Sequence, residues 1–297
     1  TMKKGVLSAV IAYALWGIFP VYFKALNAVP ALQILAHRVV WSFVLLAAVL
    51  LVRREITGFR KAALHPRMIA QYALAAVLLA VNWGMYVWGV NAGYVVQTSL
   101  GYFINPLVSV LLGVFFLKER LRPLQWLAVG LAALGVLYLT ISAGELPWIA
   151  LVLAFSFGLY GLVKKTSPLA PLYGLSLETV ILFLPGLVVL FAVGASGNGA
   201  FGNLSRAQDG LMILSGVVTV IPLLLFATAT RSVPLSTIGL LQYIAPTTQL
   251  LLGVFLYHEP FSQSRLIGFS IIWAGLLLLS GETLRGWLRT TSATANG

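Results

Sequence analysis

The sequence predicts an all-α integral membrane protein with ten transmembrane helices, arranged as two inverted five-helix repeats. Three observations predict this fold class: the scarcity of charge, the regular spacing of apolar segments and a repeat between the two halves. Of the 297 residues, 60% are hydrophobic and 9% are charged, and the mean hydropathy is +0.97. A soluble domain carries about 25% charged residues, so most of this chain is expected to lie in lipid.

Ten apolar segments of about 20 residues each match a hydrocarbon core of about 30 Å, given the rise of about 1.5 Å per residue in an α-helix. Their apolar runs are continuous, which favours helices over the alternating strands of a membrane barrel. The first segment is predicted to stay in the protein as a helix, because Trp16, Pro20 and Tyr22 interrupt its apolar run and no cleavage signature ends it. The predicted spans are 5–25, 31–52, 69–90, 95–117, 122–141, 146–164, 172–194, 211–231, 236–257 and 264–284.

The basic residues indicate the orientation. If the N-terminus is cytoplasmic, the inner side carries all of the 19 Lys and Arg residues except Lys24, Arg38, Arg206 and Arg265. The opposite orientation violates the positive-inside rule. We therefore predict a multi-pass membrane protein with both termini in the cytoplasm. The net charge of +12 reflects these loop anchors, and no nucleic-acid binding is expected.

The second half of the chain repeats the first at a shift of 140 residues. Pro106 and Glu119 align with Pro246 and Glu259, and several apolar residues between them also align. Because each half holds five helices, an odd number, the two halves enter the membrane in opposite orientations. Inverted repeats of this kind typically build transporters. The predicted parts are a first repeat at 1–143, a second repeat at 144–284 and a cytoplasmic C-terminal tail at 285–297.

Several segments together resemble a known transporter family. They are Ala14-Leu-Trp-Gly, Asn105-Pro, Leu112-Gly-Val-Phe, His37-Arg-Val-Val-Trp-Ser and Leu240-Leu-Gln-Tyr-Ile-Ala-Pro-Thr. In this pattern the chain resembles the EamA family of the drug/metabolite transporter superfamily, and within it the RarD-type branch. The resemblance covers essentially the whole chain. It implies a compact bundle of ten helices whose central cavity moves small solutes, similar to the YddG-type exporters of amino acids.

Ionisable side chains within the spans indicate a site, because each costs about 2.5–3.5 kcal/mol in lipid unless it meets water or a partner. His37 and Arg38 lie about two turns into helix two, and Glu178 lies at a similar depth in helix seven. A shift of 141 residues pairs His37 with Glu178. Two interpretations stay open: a pseudo-symmetric polar pair that lines the substrate path, or a structural hydrogen-bond network near one mouth.

Glu119 and Glu259 occupy equivalent positions after helices four and nine. The carboxyl end of a helix disfavours an acidic side chain. Each is therefore expected to pair with a basic neighbour, such as Arg120 or Arg122 for Glu119, and to serve a structural role.

Amide and aromatic side chains in mid-span complete the candidate set. Amides either line a cavity or bond neighbouring helices, and most aromatic residues serve as interfacial belts or packing. Four aromatic residues lie in mid-span beside Gly or polar neighbours: Trp16, Tyr86, Tyr102 and Tyr160. The predicted substrate-binding residues are Trp16, His37, Arg38, Trp41, Asn82, Tyr86, Tyr102, Asn105, Tyr160, Glu178, Gln242, Tyr243 and Gln249.

The predicted function is secondary transport, namely export of small amphipathic metabolites, with amino acids favoured, by alternating access. Aromatic rings would take the apolar side chain, and a cation–π contact would hold the ammonium group. One alternative is a drug or toxic-compound efflux carrier, proton-coupled through Glu178 or His37. An intramembrane enzyme or sensor is disfavoured, because the chain has only seven acidic residues and no nucleotide-binding, metalloprotease or serine-hydrolase motif.

The predicted partners are a small-molecule substrate and membrane lipid. No catalytic residue, metal site or cofactor is predicted. The sequence is compatible with a monomer.

Overall fold

A computed structural model of the chain describes residues 2–92, 94–144, 147–258 and 262–278, and these residues form helices and connections without a strand. Nine segments of the described chain are long and apolar enough to cross a membrane. The helices are α1 Met2–Ala25, α2 Ala31–Val52, α3 Ile56–Ala63, α4 Pro66–Asn91, α5 Val95–Leu117, α6 Pro123–Ala143, α7 Trp148–Thr166, α8 Pro171–Ala195, α9 Arg206–Ser232, α10 Leu235–Leu241, α11 Ile244–Leu251 and α12 Gln263–Leu278.

The all-α membrane fold with about ten spans is thereby confirmed. The ninth span comprises α10, α11 and the π-helical turn Leu252–Leu256. The tenth corresponds to α12, which is apolar. The predicted end of this helix, the predicted tail and Glu259 lie outside the described residues.

Equivalent helices of the two halves make corresponding contacts. Helix α1 contacts α9 and α11, and its counterpart α7 contacts α4 and α5. Helix α2 contacts α8 and α9, while α8 contacts α2 and α4. The contacts between α2 and α8 and between α5 and α10 join equivalent elements of the two halves. Exchanging the halves therefore reproduces the main packing contacts, as an inverted repeat requires.

Helix α3 is a short amphipathic helix within a region that the sequence analysis treats as a connection. Phe59 and Ala63 are buried, and the Phe59 ring meets the Tyr173 ring edge-on at 5.8 Å between centroids. Arg60 and Lys61 are exposed on the opposite face. The helix thus covers one end of α8 with its apolar side.

The ninth span is interrupted, so the predicted continuous helix at 236–257 is wrong in this detail. Pro246 has no N–H group to donate to the carbonyl oxygen of Gln242. That oxygen instead accepts a hydrogen bond from the nitrogen of Ala245 at 3.2 Å, within the turn that separates α10 from α11. The repeat mate, Pro106, lies inside the continuous helix α5.

Close contact between α6 and α12 depends on glycine. A Cβ atom on Gly135 would lie 2.8 Å from the carbonyl oxygen of Gly268 and 2.7 Å from the side chain of Ile272. A Cβ atom on Gly275 would lie 2.9 Å from the carbonyl oxygen of Ala128. Small residues commonly allow membrane helices to approach in this way. Gly130, on the exposed side of α6, has no atom within 4 Å of its Cβ position.

We expect Gly135→Ala to destabilise the protein by about 1–3 kcal/mol, because the new methyl group overpacks the α6–α12 contact. Gly130→Ala is the matched control on the same helix. It is expected to leave the stability unchanged or raise it by about 0.5–1 kcal/mol through helix propensity. Thermal unfolding in detergent measures both, and equal unfolding temperatures for the two variants would contradict the packing described here.

Candidate functional site

A cavity of about 630 Å³ lies at the centre of the bundle. It reaches the surface at the connection between α1 and α2, where Asn27, Ala28 and Pro30 are exposed and line it. We call this the open end. Its walls come from both halves of the chain, and its volume falls within the range of about 300–1,000 Å³ that small-molecule sites occupy.

The lining is mostly apolar and aromatic, with a few polar groups, as is usual for small-molecule sites. Eight of the predicted substrate-binding residues line the cavity: Trp16, Arg38, Asn82, Tyr86, Tyr102, Asn105, Gln242 and Gln249. The lining includes five further aromatic residues that are not among the predicted ones: Tyr13, Phe19, Phe23, Trp83 and Phe157.

Arg38 is the one Lys or Arg among the described residues that line the cavity. Its Nε atom donates a hydrogen bond to the Thr219 hydroxyl oxygen at 3.0 Å. Its Cζ atom lies 4.3 Å from the ring centroid of Trp83 and 5.6 Å from that of Phe23. These contacts fix the stem and one face of the guanidinium group. Its two Nη groups have no hydrogen-bond partner in the described part of the chain.

The acidic residues of the described chain all have partners elsewhere. Glu55 pairs with a neighbouring arginine at 2.9 Å, and Asp209 accepts a hydrogen bond from the backbone of the 196–205 loop. Glu119 binds the amino end of α10, and Glu178 pairs with a lysine of α7. Within the described ranges, no carboxylate therefore pairs with Arg38. A carboxylate that binds it would have to enter through the cavity.

Amide groups fix the polar part of the lining. The Asn82 side-chain nitrogen donates to the carbonyl oxygen of Leu153 at 2.9 Å, and that of Gln249 donates to the carbonyl oxygen of Trp16 at 3.1 Å. The Oδ1 atom of Asn105 is buried and has no partner among the described residues. Unpaired buried acceptors are uncommon in proteins. Asn105 lines the cavity, but this oxygen is not accessible to solvent from it.

Five aromatic rings close the inner end of the cavity, and we call them the aromatic plug. Neighbouring ring centroids lie 5.4–6.3 Å apart, a distance typical of favourable ring pairs. Three of the rings are almost inaccessible to solvent. The plug consists of Tyr13, Trp16, Phe157, Tyr160 and Phe226.

A buried ion pair lies behind the plug. The Nζ atom of Lys164 is 2.6 Å from an oxygen of Glu178, and the Tyr160 hydroxyl donates to the other oxygen at 3.1 Å. The two charged side chains are 3% and 1% exposed. His37, Tyr160 and Glu178 are not among the residues that line the cavity, and a polar pair of His37 and Glu178 along the substrate path stays a prediction.

The three other predicted residues outside the cavity have packing roles. The His37 ring lies against Phe201, with 5.2 Å between centroids. Trp41 packs against Gly216 of α9, where its own backbone approaches that glycine closely. Tyr243 is fully buried and donates a hydrogen bond to a backbone carbonyl of α5 at 3.2 Å. These contacts agree with the structural interpretation that the sequence analysis left open.

Glu119 connects the two halves at the end opposite the open end, which we call the closed end. Its carboxylate accepts hydrogen bonds from the backbone nitrogens of Leu235 and Ser236, at 2.7 and 2.8 Å. A carboxylate is favourable at the amino end of a helix, because free N–H groups and the helix dipole meet there. The expected pairing with Arg120 or Arg122 is therefore wrong, while the structural role is retained.

Comparison with known proteins identifies the family. Residues 3–141 and 147–281 each match the EamA-like transporter family. The chain belongs to the EamA-like transporter family. The RarD-type resemblance seen in the sequence is confirmed as well.

Relatives within the EamA-like family are similar along nearly their full length. The chain is 46% identical to "Protein RarD" of Streptomyces exfoliatus, over 95% of this chain and 90% of that protein. It is 45% identical to "Uncharacterized transporter YojE" of Bacillus subtilis strain 168, over 98% of each. A solved crystal structure with 18% identity superposes with a TM-score of 0.71 and covers 96% of this chain and 99% of its own. That likeness concerns the fold alone.

Part of the cavity lining is detectable in the sequence from the spacing of aromatic residues along α1. Trp16, Phe19 and Phe23 lie three and four residues apart, so they share one face of α1. Trp83 follows Asn82 directly, near the middle of its span. Lys164 was assigned to a cytoplasmic anchor, because sequence alone does not distinguish a lysine at a helix end from one that turns inward.

We expect Glu178→Gln to lower the free energy of unfolding by about 3–5 kcal/mol, because it leaves the Lys164 ammonium group buried without a counter-charge. The double variant Lys164→Met, Glu178→Gln should recover most of this loss, since both charges are then absent. Glu55→Gln removes an exposed ion pair and should cost less than about 1 kcal/mol. Unfolding in detergent measures all three. A Glu178→Gln variant as stable as the double variant would show that the pair carries no buried charge.

Proposed function

We propose that this EamA-like transporter exports small amphipathic metabolites, with amino acids as the favoured class, across the bacterial inner membrane. The observation that supports this most directly is that Arg38, a cation in an aromatic cavity, pairs with no carboxylate of the described residues. A guanidinium group binds a carboxylate through two parallel hydrogen bonds. A solute with a carboxylate would therefore satisfy the Nη groups, which have no partner among the described residues.

The remaining lining suits the rest of an amino acid. Trp16, Tyr86 and Tyr102 offer aromatic surfaces for an apolar side chain. Ring faces attract an ammonium group. Burial of the apolar part would add about 25 cal/mol per Å² of surface removed from water.

Alternating access follows from the inverted repeat. With the predicted cytoplasmic N-terminus, the open end faces away from the cytoplasm and the closed end faces it. Transport would require the aromatic plug and the contacts of Glu119 with α10 to separate while the open end closes. The two halves support such an exchange, because their packing contacts are equivalent.

Counterflow in proteoliposomes tests the proposed function. Purified protein is reconstituted with an excess of each unlabelled amino acid inside, and entry of the labelled compound is followed with and without a pH gradient. We expect labelled aromatic and large apolar amino acids to accumulate transiently above empty liposomes. Dependence on the gradient would indicate a proton antiporter. Absence of accumulation across the whole panel, with folded protein, would reject amino acids and favour efflux of other compounds.

We expect Arg38→Gln to weaken substrate affinity about 10- to 100-fold, because a hydrogen bond to a charged group contributes about 1.5–3 kcal/mol. Arg38→Lys should recover only part of the affinity, since an ammonium group lacks the planar fork of a guanidinium group. Arg206→Gln is the control, because Arg206 is exposed at the start of α9. Counterflow rates at a series of concentrations measure the effect. Unchanged transport in Arg38→Gln would remove Arg38 from the site.

A further inference from the structure

Among the described residues that line the cavity, positive charges outnumber negative charges. The described residues that line it include one cation, Arg38, and no Asp or Glu. The polar groups that accompany Arg38 are neutral amides and tyrosine hydroxyls, and Tyr22, Tyr86 and Tyr102 lie within electrostatic range of its guanidinium group. The cavity therefore presents a single positive charge that no described protein group compensates.

From this imbalance we infer that the site selects its substrates by net charge, and that its preferred substrate class is the monoanionic carboxylic acid with an apolar or aromatic body. The inference rests on the proposed function and narrows the substrate class of the same site. In this class the carboxylate is essential and the amino group is dispensable. An amino acid is accepted because it carries the carboxylate.

Possible ligands differ in the net charge that remains in the cavity once they are bound beside Arg38. A monoanion beside Arg38 leaves the cavity neutral. A zwitterion leaves one net positive charge, and a cationic amine or amide leaves two like charges in a cavity with aromatic walls. Uncompensated charge is costly away from water. Affinity should therefore fall in the order monoanion, zwitterion, cation when the apolar body is held constant.

Four ligands with one phenyl body test this order: phenyllactate, phenylpyruvate, phenylalanine and phenylalanine amide. We would measure their dissociation constants by calorimetry on the purified full chain, at a pH where the first two are monoanions and the amide is a cation. Phenyllactate and phenylpyruvate should each bind at least about tenfold more tightly than phenylalanine amide, and phenylalanine should lie between the two monoanions and the amide.

Two variants assign the selectivity to Arg38. Arg38→Gln should still bind phenylalanine amide, a readout that a general loss of folding would not produce, and should reduce the difference between phenyllactate and phenylalanine amide to within about twofold. Arg206→Gln removes an exposed charge at the start of α9 and should retain the full difference.

The outcomes distinguish this inference from the proposed function. If phenylalanine amide binds as tightly as phenyllactate, or if Arg38→Gln retains the full preference for the anion, the charge selection is wrong. Amino-acid export still stands in that case if phenylalanine shows counterflow. If none of the four ligands binds and no amino acid shows counterflow, the proposed function itself is rejected, and the charge selection with it.

Discussion

A charge inside the hydrocarbon region of a membrane needs either a counter-charge or water, and this constraint organises the bundle. Two inward-facing cations meet it in different ways. Lys164 is paired with Glu178 at 2.6 Å behind the aromatic plug, where both side chains are nearly inaccessible. Arg38 has no such partner in the described chain and lines a cavity that reaches the surface. The paired charge is neutralised within the protein, and the unpaired charge is accessible from the cavity.

The fold was largely predictable, because continuous apolar runs of membrane-spanning length leave few alternatives to helices. The repeat at a shift of 140 residues is consistent with the corresponding contacts that equivalent helices make. Two details required tertiary information. Pro106 and Pro246 are repeat mates, but α5 runs through the first while a turn precedes the second. Helix α3 is short and amphipathic, and its packing against α8 distinguishes it from an ordinary connection.

The site was predictable where a residue's type alone requires a polar surrounding, as for Arg38, Asn82 and Asn105. It was not predictable where the conformation of the bundle decides whether a residue faces the cavity. The shift that pairs His37 with Glu178 assumes that equivalent residues have equivalent surroundings. In a bundle open at one end and closed at the other they do not: His37 packs against a loop, and Glu178 lies in an ion pair behind the plug. Sequence symmetry treats the two positions as equivalent, whereas in the structure their surroundings differ.

Solvent access along α4 shows whether the cavity is open at one end and closed at the other. Val87 lines the cavity, whereas Leu79, about two turns away on the same face, is 2% exposed. The chain has no cysteine, so Val87→Cys and Leu79→Cys each provide a unique thiol. A membrane-impermeant maleimide added outside intact cells should label Val87→Cys and leave Leu79→Cys unmodified. Equal or faster labelling of Leu79→Cys from that side would contradict the account.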